Sequence, residues 1–333
     1  MGLILATVCM AAYAVQAGSV DLSVGEVLRT LFGLAEGTGR IIIWNVRVPR
    51  VLTAIVAGVG LSIAGAVMQS VLRNPLASPF TLGISQGAAF GAALAIIGFG
   101  AGATGSAAVD AVQVFNAWSV TGFAFAGAMI ATLTIVAFAK YRGVTPQTMV
   151  LAGVALGSLF SAGTVLLQYF AEDTKVAAVV FWTFGDLGRA SWRDLTIMAL
   201  VTVVGALYFL WCRWDYNALE AGSESAQGLG VKVDRVRLVG MFVASLVTAS
   251  IVAFLGIIGF IGLVGPHLVR RVVGNDYRFL LPASAGAGAL LLLASDTLAR
   301  TLVSPVVLPV GAITSFLGAP LFLYLLVGRR STI

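Results

Sequence analysis

Few residues in this sequence could do chemistry. There is one histidine, His267 in the run GPHLVRR, and the lysines are Lys140, Lys175 and Lys232. None of the lysines follows a glycine, so the phosphate-cradling loop G-x-x-x-x-G-K-[ST] is absent and the chain does not bind ATP by that route. A single imidazole gives a nucleophile little to work with, and His267 is read as structural. Cys9 and Cys212 lie far apart inside apolar segments, so neither a disulfide nor a metal site is expected. An ion-coupled carrier keeps ionisable groups at membrane depth. Here the acids sit in loops or at the ends of apolar segments, with Asp296 the deepest. The polar chemistry that stands out is cationic: NVRVPRVLTAIVAG sets Arg47 and Arg50 around a proline, directly before a long apolar run.

The elements that must position these groups are membrane helices. Hydrophobic residues make up 59% of the 333, charged residues 10%, and the mean hydropathy is +1.00. A soluble domain carries about 25% charged residues, and about 20 apolar residues span a bilayer. Apolar segments run over 3–17, 51–72, 80–99, 118–139, 148–170, 195–212, 238–269, 279–298 and 306–327. The amino-terminal segment lacks the basic flank and cleavage site of a signal peptide and reads as a first span. The run 238–269 carries no formal charge and would be ~48 Å long as one helix, against a hydrocarbon core of ~30 Å. Gly256, Gly259, Gly262 and Gly265, followed by Pro266, favour a break into one full helix and a short return helix near 260–273. Ten spans result.

An even number of spans puts both termini on one side. With the termini in the cytoplasm, the inner loops hold 12 of the 20 basic residues, so the positive-inside rule favours that orientation. Arg47 and Arg50 then face outward, against the trend. Two further polar stretches need a reason. The first, 214–237, is the longest inner loop; Leu219, Ala226 and Leu229 are apolar, and Gly228 and Gly230 permit a sharp turn. Its length and hinge suit a docking surface for a soluble partner. In the second, 70–92, Asn74-Pro75 and Ser78-Pro79 force a non-helical turn. Small residues also crowd the fifth and tenth spans, at Gly153, Gly157, Ser161, Gly311 and Ser315 among others. They allow either tight helix packing or a pathway wall for a bulky solute.

The motifs RVPR, NPLASPFTLGISQGA, GFIGLVGPHLVR and LPVGAITSFLGAPLF, in that order, resemble the permease subunits of bacterial binding-protein-dependent ABC importers for iron–siderophore, haem and cobalamin. The resemblance covers about 46–329. It implies an all-α, type II importer permease of about ten transmembrane helices, with 1–333 a single transmembrane domain in the cell membrane. Its implied partners are a second permease subunit, identical or not, two cytoplasmic ATP-binding subunits that hold ATP and magnesium, and an extracytoplasmic substrate-binding protein. The chain itself would be no enzyme, would hold no cofactor and would bind no nucleic acid. The resemblance further implies a cytoplasmic gate at Asn74 and Leu76. It puts ATPase coupling on 218–230, with Ala218, Leu219, Ala226, Gly228, Leu229 and Gly230. Arg47, Arg50 and Arg300 would be receptors for glutamates of the binding protein, the rival reading being snorkelling from a helix end. In FWTFGDLGRASW, Asp186 stands where the family often has a small residue, and no role is carried onto that loop. The competing class is an ion-coupled carrier that works without a nucleotidase.

Overall fold

Each of the ten expected spans is a helix in the structure, a computed structural model that describes residues 2–18, 24–31, 38–101, 116–143 and 145–327. Arg329 and Arg330, part of the inner-loop charge, lie outside these residues. In chain order the helices are α1 (Gly2–Gln16), α2 (Val24–Leu31), α3 (Thr38–Ile41), α4 (Val48–Val71), α5 (Ile84–Ala93), α6 (Ala117–Arg142), α7 (Pro146–Tyr169) and α8 (Asp173–Thr183). Then come α9 (Trp192–Trp211), α10 (Arg213–Glu220), α11 (Ser223–Gly228), α12 (Val233–Leu255), α13 (Ile261–Val273), α14 (Tyr277–Thr301) and α15 (Val310–Val327). Among the described residues, α4, α6, α7, α9, α12 and α14 are long and apolar enough to cross a membrane, whereas α1, α5 and α15 belong to shorter apolar helices.

Local chemistry explains the boundaries. The side chains of Asn116 and Thr145 accept hydrogen bonds from the first-turn amides of α6 and α7, and Ser191 and Asp194 form a reciprocal capping box on α9. Gly256, at φ +79°, ends α12, and the chain turns back as the short α13, as the glycine cluster predicts. The last span begins at Val310 rather than 306, with Pro309, which has no N–H to donate, directly before its first residue. α8 was not foreseen. Its apolar run is too short to span, although Asp173 in its first turn favours a helix start.

Helix α4 is the axis of the bundle and packs on α9, α12, α13 and α14. It does so through small residues: a Cβ on Gly58 would overlap the backbone of Gly288, and one on Gly65 the backbone of Gly262. Non-helical backbone inside the bundle is satisfied by protein. Phe184 bridges Ile257, the Asp186 amide donates to Leu255 O, and the Val310 amide donates to Gly185 O.

Candidate functional site

A proline fixes how the first arginines are presented. Pro49 has no amide to donate, and its ring crowds the carbonyl four residues back. The turn before it widens into a π-helix over Ile42–Arg47, where the Val48 amide reaches back to Ile43 O. Such wide turns are frequent at functional sites. This π-turn leads into α4 with Arg47 and Arg50 at its start. Helices α4 and α14 run antiparallel, so Arg300, near the end of α14, meets them.

The three arginines come together, but not as free receptors. Arg47 is 5% exposed and Arg300 6%. Arg47 Nη1 donates to Val15 O at 2.9 Å and Gln16 O at 2.6 Å. Arg300 donates to Ala17 O at 2.7 Å through Nη1 and to Ala14 O at 3.1 Å through Nη2. These four carbonyls are the ones that the end of α1 leaves without helical partners, and the two guanidiniums also oppose the negative end of its dipole. Asp296, fully buried, accepts from Arg50 Nε at 2.9 Å on one oxygen and from Arg300 Nε at 3.0 Å on the other. Asp186 stands 3.5 Å from Arg50. The arginines are therefore held by partners within the subunit rather than standing exposed. The cluster ties α1, α4, α14 and the Asp186 loop together, because buried cations need partners.

At the other end of α4, the predicted turn is present. Arg73 adopts φ +46°, the Asn74 side chain accepts the Leu76 amide at 2.9 Å, and the Ala77 amide returns to Asn74 O. Asn74 shapes the turn, and Leu76, 42% exposed, is its tip.

The loop over 214–237 folds onto the same end as α10 and α11. Leu219 and Ala226 were expected to contribute to a partner surface, but both are fully buried within the chain and so anchor the loop. Tyr216 is buried beside them, its ring 5.5 Å from that of Tyr277. Leu229 is 74% exposed at the tip, followed by Gly230 at φ +84°. Leu229 is thus a single exposed leucine at the tip of a loop that its neighbours anchor.

The FecCD transport family model matches residues 3–328. The chain belongs to that family. An ABC transporter permease of Methanocaldococcus jannaschii, MJ0087, is 57% identical over 94% of this chain and 89% of its own. The hemin transport system permease HmuU of Yersinia pestis is 36% identical over 98% and 95%. The cobalamin import system permease BtuC of Halobacterium salinarum is 42% identical over 90% and 76%. A solved metal-chelate type ABC transporter in an inward-facing conformation superposes with a TM-score of 0.84, at 31% identity over 98% of both chains. This FecCD chain is thus a multi-pass permease subunit of the ABC importer class, not an ion-coupled carrier.

In the FecCD permease the small residues of α7 fall into two uses. Gly153 packs on the Thr81 carbonyl, where a Cβ would come within 2.5 Å. Together with Gly157 and Ser161 it also lines an open cavity of about 570 Å³ that includes Phe80 and Gln86. On α15, Gly311 packs against Ile257 O and Gly185, and the Ser315 hydroxyl donates back to Gly311 O. α7 packs chiefly on α5 and α6, and α15 on α13 and α14, so the two sets occupy separate patches of one subunit. Both helices leave large apolar side chains uncovered, such as Leu151, Leu159 and Phe316. Sequence reasoning missed the partners of the arginines. The signal for one of them was present: Asp296 and Arg300 are four apart, hence on one helix face.

Proposed function

We propose that this permease pairs with a second permease subunit, couples to two ATP-hydrolysing subunits, and admits a metal chelate or corrinoid handed over by a binding protein. In this reading the α10–α11 end is cytoplasmic with both termini, the arginine end faces outward, and 1–333 acts as one transmembrane domain. ATP and magnesium belong to the partner subunits. The uncovered faces of α7 and α15 then meet the second subunit, with Gly153, Gly157, Ser161, Gly311 and Ser315 along the pathway between the copies. The binding protein lands on the arginine end, where Arg47, Arg50 and Arg300 act by holding that face in shape.

The observation that carries the coupling reading is Leu229, an exposed leucine on a loop anchored by buried neighbours. Leu229→Asp is expected to abolish co-purification of the ATPase subunits or to leave hydrolysis without transport, while the chain still inserts. A charge forced into an apolar partner pocket is costly. Normal assembly with normal transport would refute the dock. The cargo class is tested by offering the cognate binding protein cyanocobalamin, haemin and ferric siderophores in a binding assay.

The gate reading places two copies of the Leu76 turn face to face. Leu76→Cys is expected to cross-link between subunits in the resting complex, with a several-fold lower yield in at least one nucleotide state. Absence of the cross-link in every state would remove the turn from the gate.

A further inference from the structure

Tyr277, the first residue of α14, is fully buried, and its hydroxyl sits where three elements meet. It accepts from Arg270 Nη2 of α13 at 2.9 Å. Two acceptors then compete for its one proton: Ala66 O of α4 at 3.0 Å, and Glu220 Oε1 at the end of α10 at 3.3 Å. Glu220 is also 3.8 Å from Arg270. A second clasp holds α10 to the same place. Asn217 accepts the Tyr277 amide at 2.7 Å and donates to Asp276 at 2.9 Å. Bonds from Arg278 and Asn217 hold the Asp276 carboxyl well below the usual carboxylate range, so it stays an acceptor throughout the physiological range.

The site joins a loop to a helix end. Ala66 lies about 7–8 Å along α4 from its last residue, Val71, beyond which the chain enters the Leu76 turn. Below it, Tyr216 and Leu219 root α10 in the bundle. A displacement of α10 therefore has a short, packed route to α4 through the Tyr277 hydroxyl, which has an acceptor on each helix.

We propose that Tyr277, clasped by Asn217 and able to turn its hydroxyl hydrogen bond toward either Glu220 or Ala66 O, is the positioning residue that conveys movement of the α10–α11 loop to the inner end of α4. This rests on the reading of that loop as the ATPase dock. The test is hydrogen–deuterium exchange on the assembled permease–ATPase complex, with and without ATP and vanadate. In the parent, trapping should change exchange both over 213–228 and over 66–76. Tyr277→Phe, which keeps the ring and removes the hydroxyl, should retain the change over 213–228 and lose it over 66–76. Asn217→Ala, which leaves Tyr277 in place, should do the same, and carries the test if the tyrosine variant does not fold. Glu220→Gln, which still accepts a hydrogen bond, should keep both changes. Parent-like changes in Tyr277→Phe or Asn217→Ala would overturn the proposal, as would an unresponsive 66–76 in the parent. Loss of both changes in Asn217→Ala would make the clasp mere scaffold, and would overturn it too. The dock itself fails on a different result: exchange over 213–228 that is unaffected by the presence of the ATPase subunits.

Discussion

Asp296→Ala is expected to lower the unfolding free energy of the purified permease by about 3–5 kcal/mol, the cost of removing one partner of a buried ion pair. The carboxylate is fully buried and serves Arg50 and Arg300 at once. Without it Arg50 keeps only Asp186, at 3.5 Å, and Arg300 is left in a buried position without its carboxylate. Arg300 would then rely on the terminal carbonyls of α1 that it caps. Denaturant or thermal unfolding in detergent measures the loss. Arg50→Glu should be at least as harmful, because it sets a third carboxylate beside Asp296 and Asp186. Replacing Arg50, Asp296 and Arg300 together by apolar residues of similar volume should cost less than Arg50→Glu, since buried charges are often replaceable as a unit. If Asp296→Ala alters stability by less than about 1 kcal/mol, the range of an exposed pair, the network is not structural. The arginines would then be available to an outside partner.

Gly65→Ala should be the most damaging single methyl group in the bundle. Its Cβ would occupy the space of the Gly262 carbonyl, which is backbone and cannot rotate away. Helices α4 and α13 would have to separate, a cost of about 1–3 kcal/mol or more for overpacking a fitted core. The loss should appear as reduced yield of monodisperse complex and as a lowered unfolding temperature. Gly122→Ala on α6 is the control. A Cβ there meets nothing within 4 Å, and the change should be neutral or stabilising by about 0.5–1 kcal/mol through helix propensity. Equal effects of the two substitutions would show that α4 and α13 do not need their close approach.

The linear sequence by itself determined the expected spans, the break in the glycine cluster that begins at Gly256 and the turn at Asn74-Pro75, because each follows from forces acting within a few residues. Apolar length sets a span, a glycine or proline sets its end, and a side-chain oxygen caps its first turn. The ordered motifs also determined the family, and with it the kind of protein. What the chain could not disclose was which polar groups are already satisfied. Arg47 and Arg50 read as outward-facing cations because their partners lie far away in the sequence, on α1 at Val15 and Gln16 and on α14 at Asp296. Leu219 and Leu229 are alike as residues, yet one is fully buried and the other 74% exposed, since α10 is rooted under α4 and α14 while the Gly230 turn hangs free of them. Tyr277 gave no signal at all: its meaning arises only where α4, α10 and α13 converge on one hydroxyl. Burial and partnership are properties of helices brought together from distant parts of the chain, so only the tertiary structure could decide them.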